Sequence, residues 1–591
     1  MKDFGKIVLA SAVGFLIAQI ILFIISIILF FSTMGTIMSS TSGEKFTLKS
    51  NSVLHLKLAG SIVERTSESD PFTEIMSSKY DAPMGLNDIV SAIRKAKSND
   101  NIKGIYIDSR VFAASPATLA EIRNELKSFK ESGKFIVSYS DMYTQAGYYI
   151  ASVADKVAIN PKGTLDIHGM ASSPFFYKDA LDKLGIDVQV FKVGTYKSAV
   201  EPYIQNEMSE ANREQISSYL NDIWSEFRKD FAESRSMTTD EVDRLADEVP
   251  AMKQTDFLLS ANLVDTLLYE TEMKNYLRTL LDIDKDKEIP SADVANMKSV
   301  TTKSIKKTDN TIAILYAQGS ISSGNGADGI QDKYMVSEIE KLRKDDDIKA
   351  VVFRVNSGGG SAYASEQIWK AITDLKAEKP VVVSMGDLAA SGGYYISTNA
   401  DKIVAQPTTI TGSIGIFGMI PTFGGLTKKI GVHNETVKTN KFADFPSLNR
   451  PFNEEESAIM QQYIENGYDL FLTRCAEGRG IPKDTLAQYA QGRVWTGNQA
   501  LEIGLVDELG GIEKAIDIAA EMANLGKSYV VFEYPKMRTV WEELFNPEKE
   551  QLAVGMMKEY LGDSYEMFML IKDLKEQDYI QARLPYELNI K

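Results

Sequence analysis

Hydrophobic positions along the chain fall into three patterns. From Ile7 to Phe31 they run almost unbroken for 25 residues, more than the roughly 20 a helix needs to cross the hydrocarbon core of a bilayer. This predicts a transmembrane helix within residues 1–38, with Gln19 as its one strongly polar side chain. The apolar region of a cleaved signal peptide is shorter, about 7–15 residues. Further on, short β-rich runs alternate with segments whose apolar residues recur at helical spacing, such as LAEIRNELKSFKES and SEQIWKAITDLKAE. The runs are Gly104–Asp108, Phe135–Tyr139 and Val157–Ile159, then Val351–Val355, Val381–Ser384 and Ile403–Ala405. Such alternation predicts βα units around largely parallel sheet. The third pattern, charged and apolar residues mixed at helical period over Ser209–Asp247 and Glu454–Arg479, predicts two amphipathic arms.

The two sets of βα units are one pattern written twice. NSVLHLKLAGSIVE, Asn51–Glu64, matches NTIAILYAQGSISS, Asn310–Ser323, at an offset of 259, and from Ile102 to about Lys192 the copies align without a gap at 246. That register pairs Asp141 with Asp387, Gly147 with Gly393, Pro161 with Pro407, Gly169 with Gly415 and Gly185 with Gly431. The thirteen extra first-half residues fall around Thr66–Met84, an expected exposed loop. Later, FLLSANLVDTLLY echoes ALEIGLVDELGG. The predicted fold class is therefore α/β, a tandem duplication of ββα repeats with helical arms behind one transmembrane helix. Its expected parts are the anchor at 1–38, a first repeat at 50–273, a charged linker at 274–309, a second repeat at 310–527 and a C-terminal extension at 528–591. A chain of 591 residues is beyond the size at which a single core keeps growing.

Composition narrows the chemistry. A net charge of −16 and a pI near 5.0 exclude a nucleic-acid surface, which needs clustered Lys and Arg to neutralise phosphates. The single cysteine, Cys475, rules out an intrachain disulfide and a CxxC metal site, and no cofactor is expected. Only three histidines occur, His55, His168 and His433, none in a motif shared by both copies, so a Ser-His-Asp triad is not expected.

Candidate catalytic residues emerge where the copies differ. SMGDLAASGGYYISTNADKIVAQP, Ser384–Pro407, carries Ser391 between two alanines and two glycines, while SYSDMYTQAGYYIASVADKVAINP, Ser138–Pro161, carries Gln145 at that position. Gly358, Gly359 and Gly360 follow a buried strand of the second copy, where the first has Phe112, Ala113 and Ala114. The joint loss of serine and glycines suits a nucleophile with an oxyanion hole of backbone N–H groups, one from Gly359 or Gly360 and one from Gly392. Conversely the first copy keeps Lys197 in FKVGTYKSAVEP, where the second has Ala443. Reciprocal loss is expected if one site is assembled from both halves. A lysine with its ordinary pKa near 10.4 is charged at neutral pH, but burial depresses it enough to act as a base for serine.

NSGGGSAYASE, LAASGGYYIS, TGSIGIFG and VGTYKSAVEP resemble the motifs of bacterial signal peptide peptidase A in its long, two-repeat, membrane-anchored form, over nearly the whole chain to about Gly511. The resemblance implies a Clp/crotonase-like fold, Ser391 as nucleophile, Lys197 as general base, Ser413 of TGSIG hydrogen-bonded to that lysine, and cleavage of hydrophobic peptides such as released signal peptides. It also implies a homotetramer. The short N-terminal tail and large following body suit a signal-anchor through residues 7–31 in the bacterial inner membrane, with the catalytic body on the extracytoplasmic side. One departure is visible: the family commonly begins its glycine run with proline, as SPGG, and here Gly358 takes that place, so Gly359 and Gly360 both stay candidates for the oxyanion donor. Two rivals carry other expectations: a crotonase-type acyl-CoA enzyme predicts no covalent serine adduct, and an inactive peptide-binding scaffold predicts no turnover.

Overall fold

The structure, a computed structural model, describes residues 46–66, 82–300, 310–326, 329–536 and 580–584, with isolated positions 14, 19, 22, 25 and 26. The apolar run at 7–31, most of the loop expected at 66–84 and most of the C-terminal extension lie outside the described residues. Among the described residues, no helix is long and apolar enough to cross a membrane.

Each half is built on a parallel sheet whose strands follow the repeated apolar runs. In the first, Ser52–Val63, Ile102–Ala113, Phe135–Tyr143 and Lys156–Leu165 lie side by side in parallel. In the second, Thr311–Gln318, Ile348–Ser357 and Val381–Ala390 do the same, and both Lys402–Ala405 and Ile410–Gly412 continue from the last. Residues 351–355 are all buried, as expected of parallel strands covered on both faces. The crossover helices Pro116–Lys130 and Ala362–Lys376 bury Leu119, Ile122, Leu126 and Phe129, and Ala364, Ile368, Ile372 and Leu375, respectively. The amphipathic arms form helices Glu210–Arg235 and Glu454–Arg479.

Two segments outside the expected repeats pack onto the sheets. Much of the predicted linker folds onto the first half: helix Glu270–Leu280 buries Met273 and Leu277, Ser291–Ala292 pairs with Ser52–Val63, and helix Val294–Ser299 buries Met297. The apolar residues at Met273, Leu277 and Leu281 recur at helical spacing and are all buried, so this charged stretch still supplies one apolar face. Likewise Val530–Tyr534, assigned to the C-terminal extension, runs parallel to Thr311–Gln318 as a strand of the second sheet.

A strand pair and a buried ionic cluster are among the contacts that join the halves. Strand Asp187–Lys192 of the first half pairs antiparallel with Phe417–Thr422 of the second, from Phe417 opposite Lys192 to Thr422 opposite Asp187. A buried ionic cluster then crosses the interface. The Arg354 guanidinium donates to Glu64 at 2.9 and 3.1 Å and to Glu121 at 3.0 Å, while Asp387 accepts from the Thr118 N–H at 2.8 Å and its hydroxyl at 2.9 Å. Burial raises the carboxyl pKa of Glu64 and Asp387; at Glu64 the attraction of Arg354 works in the opposite direction.

Candidate active site

The inter-half strand pair delivers Lys197. After Lys192 the chain turns at Gly194, whose φ of +103° and contact with the Gln491 backbone leave no room for a side chain. The Tyr196 N–H then donates to Gln491 O at 3.0 Å. The lysine stem passes between two second-half glycines. A methyl group added at Gly415 would lie 3.3 Å from Lys197 Cδ, and one at Gly492 would lie 2.6 Å from Lys197 Cβ. Lys197 is fully buried. Its Nζ lies 2.8 Å from Ser391 Oγ, 3.0 Å from Ser413 Oγ and 3.2 Å from Ser413 O. Burial holds the lysine pKa well below its ordinary value. A neutral amine offers two N–H donors and one lone pair, which matches two acceptors on Ser413 and a hydroxyl donor on Ser391.

Ser391 is held at the sharp junction of strand Val381–Ala390 and helix Gly392–Ser397. Its backbone sits at φ 55°, ψ −114°, and its N–H donates to Gly412 O at 2.8 Å. A non-glycine residue in so sparsely populated a region stores about 1–3 kcal/mol. The first half does without this strain, because Gln145, at the position of Ser391, already lies within helix Gln145–Ala151 and has no positive φ. Thr144, just before Gln145, sits at φ −69°, ψ 163° and caps helix Gln145–Ala151 by accepting from the Gly147 N–H at 3.1 Å. Gln145 itself ties down the neighbouring chain. Its Nε2 donates to Gly169 O at 2.9 Å, and its Oε1 accepts from the N–H groups of His168 and Gly169 at 2.9 and 3.0 Å. Gly169 is the counterpart of Gly415, which flanks the lysine in the other half. The glutamine thus closes with hydrogen bonds the region where a base would otherwise enter.

Of the expected oxyanion glycines, Gly359 comes against Gly392 while Gly360 abuts the Ile321 backbone. Gly359, at φ +97°, lies so near Gly392 that an added methyl group would reach 2.6 Å from Gly392 N. The Gly359 N–H donates to Ser357 Oγ at 3.1 Å. Gly360 pairs with Ile321 on one side and with Ala582 on the other. The carbonyl oxygen of Ala582 lies against Gly359, and 3.0 Å from a methyl group added at Gly392.

The histidines, Ala443 and Cys475 make no hydrogen bond to Ser391 or Lys197. His55 stacks on Tyr106 and sits 3.4 Å from Asp108, His168 sits 2.9 Å from Asp166, and His433 is exposed. Ala443, the counterpart of Lys197, is also exposed. Cys475 is buried, and burial pushes its thiol up to about 12. Sequence reasoning missed Gly492 and used Gly415 only as a register mark, although both fix the lysine stem. The signal for Gly492 was slight, a glycine in the loop QGRVW.

The chain matches peptidase family S49 over residues 128–284 and 373–526, one block in each half. It is 36% identical to Protease 4 of Salmonella typhi over 524 residues, covering 86% of this chain and 84% of that one. It is 35% identical to Protease 4 of Haemophilus influenzae, covering 82% and 81%. It is also 29% identical to the chloroplastic serine protease SPPA of Arabidopsis thaliana, covering 91% and 78%. A family match repeated in both halves, with protease relatives aligned along most of its length, makes this chain a serine peptidase of family S49 in tandem-repeat form.

Proposed function

We propose that the chain is a membrane-anchored endopeptidase, built on two Clp/crotonase-like halves, that cleaves hydrophobic peptides such as released signal peptides through Ser391 and Lys197. The observation that carries this reading is the fully buried Lys197 Nζ 2.8 Å from Ser391 Oγ. The neutral amine takes the hydroxyl proton as Oγ attacks the peptide carbonyl carbon. Negative charge develops on the carbonyl oxygen, beside Gly392 and the Gly359–Gly360 run. The resulting ammonium returns its proton to the leaving amine nitrogen, and an acyl-enzyme remains. Water, deprotonated by the same lysine, then releases the acyl group and restores the serine. Ser413 is a positioning residue, holding Nζ with its hydroxyl and carbonyl oxygens. An acylating or phosphonylating serine probe should label Ser391 in the full-length protein, as located by peptide mapping. Labelling elsewhere, or none, overturns the reading.

The apolar run at 7–31 supports single-pass anchoring in the bacterial inner membrane with the body on the extracytoplasmic side. Assembly into a homo-oligomer, four-membered as in the resemblance, is supported by a pairing that the chain makes only once. Moving the register of Asp187–Lys192 against Phe417–Thr422 by the repeat offset of 246 sets residues 433–438 against 171–176. Neither segment is a strand in the structure, and Val437 is 97% and Phe175 77% exposed. Two copies can complete the pairing head to tail, and repetition of such a contact closes a ring. Val437→Asp or Phe175→Asp should therefore shift the detergent-solubilised protein to a smaller species in sedimentation analysis. An unchanged mass in both removes this interface.

A further inference from the structure

Strand Val381–Ala390 does not run straight to Ser391. It keeps step with Ile348–Ser357 from Val351 opposite Val381 to Val355 opposite Met385, then slips, so that Ser357 faces Ala389. Gly386, Asp387 and Leu388 therefore arch out over the single residue Asn356, and bulges next to active sites re-aim the side chains around them. The second half holds the feet of the arch: the Thr409 hydroxyl donates to Gly386 O at 2.7 Å, and the Leu388 N–H donates to Asn356 Oδ1 at 3.1 Å. Its crown is tied to the first half. Asp387 accepts from the N–H and the hydroxyl of Thr118, in the first turn of helix Pro116–Lys130, whose own N-cap residue, Ser115, makes no side-chain bond to the helix. A carboxylate there satisfies a backbone donor that has no partner within the helix and meets the positive end of its dipole. The other copy is arranged differently. Asp141, the counterpart of Asp387, accepts from Tyr139 and Asn160 of its own half, and the N–H of Ala364, the counterpart of Thr118, donates to Ser361 of its own half.

We propose that Asp387 is a positioning residue: by capping helix Pro116–Lys130 across the interface, it sets Ser391 Oγ at its working distance from Lys197 Nζ. The proposal rests on the reading of Ser391 and Lys197 as the catalytic pair and names what registers them. The two groups belong to separate halves, so each needs a tie to the half of the other. On the lysine side that tie is the pairing of Asp187–Lys192 with Phe417–Thr422, which ends five residues before Lys197. On the serine side it is the Asp387 cap, four residues before Ser391, where the chain is about to enter its strained turn. Without the cap the arch relaxes toward its own sheet, and the serine shifts against an amine that does not follow. A shift near 1 Å costs about 10²-fold in rate. Asp387 itself makes no hydrogen bond to Ser391 or Lys197, so its loss acts on their alignment and leaves peptide binding in place.

The test is steady-state hydrolysis of a hydrophobic peptide by the full-length, detergent-solubilised protein, with the folded fraction of each variant fixed by its thermal melt. Asp387→Ala should lower kcat at least about tenfold with KM unchanged, as expected of a group that acts on the transition state and not on binding. Asp387→Asn keeps an oxygen to accept the Thr118 N–H and should restore most of the loss. Thr118→Val removes the hydroxyl from the first-half side and leaves the arch intact. It should lower kcat at least about threefold, the worth of one hydrogen bond, and cost nothing further when added to Asp387→Ala, as expected of partners in one contact. It also decides the matter alone should Asp387→Ala fail to fold. Thr238→Ala removes an N-cap from helix Thr239–Asp247 and should lower the melting temperature while leaving kcat intact. Wild-type kcat in folded Asp387→Ala or in Thr118→Val, or a loss in Thr238→Ala that matches that of Asp387→Ala, overturns the positioning role. Full turnover by Ser391→Ala would instead overturn the catalytic pair itself.

Discussion

Lys197→Met should lower hydrolysis of a hydrophobic peptide by at least about 10³-fold, because loss of a positioned general base typically costs about 10²–10⁴ and the serine hydroxyl is left without an acceptor for its proton. Ser391→Ala should do the same, and the double variant should lose little more, since residues that act as a unit are not additive. In the wild type, activity should fall as the pH drops through the lowered lysine pKa. The same burial makes stability depend on pH in a defined direction. The folded pKa lies well below the ordinary lysine value, so between the two the unfolded chain binds more protons than the folded one. Stability of the wild type therefore rises with pH across that window, whereas methionine has nothing to titrate. Thermal melts between pH 7 and pH 10 should show the difference moving in favour of the wild type as pH increases. A constant difference, together with retained hydrolysis by Lys197→Met, would remove this lysine from the chemistry.

Arg354→Met should destabilise the protein by about 3–5 kcal/mol, the usual cost of removing one partner from a buried ionic group. Arg354 is 2% exposed and is the cation in hydrogen-bond contact with both Glu64 and Glu121. Once it is gone, Glu64 can fold only by taking up a proton, because burial already pushes its pKa upward. A carboxyl whose folded pKa exceeds its unfolded value contributes stability that is present at low pH and lost as pH rises. The variant should thus be furthest below the wild type at pH 8 and closer at pH 5, as read by urea denaturation. Glu64→Gln introduced beside Arg354→Met should recover part of the loss. A deficit that is the same at both pH values and is not relieved by Glu64→Gln would mean that the guanidinium matters for packing rather than for charge.

Much of this molecule is legible in its sequence because the chain contains its own control. Strands covered on both faces leave near-continuous apolar runs, and their ungapped recurrence at an offset of 246 from Ile102 to about Lys192 exposes the duplication. Ser391 and Lys197 stand out because Gln145 and Ala443 occupy the same positions in the other copy. Arg354 was hidden by the same logic. Periodicity assigns a residue to a buried strand, but it does not say that a carboxylate 290 residues earlier, Glu64, will meet it there. Gly492 was hidden because its task is to leave space for a side chain brought from the other half. The stretch from Lys274 onward read as a linker because charge dominates its composition, and three apolar residues four apart were enough to fold it onto the first half. The four-residue strand at Ile580 carries too little pattern to reveal a partner more than 160 residues away.

The division of the site between halves also orders events during synthesis. A ribosome makes Lys197 long before Ser391, so a nascent chain holds a buried-to-be amine and no hydroxyl for it to act on. The second half must fold against the Asp187–Lys192 strand before the two groups meet. On the proposed Ser391–Lys197 pairing, the chain can therefore hydrolyse nothing until its second half has been made and has folded against the first.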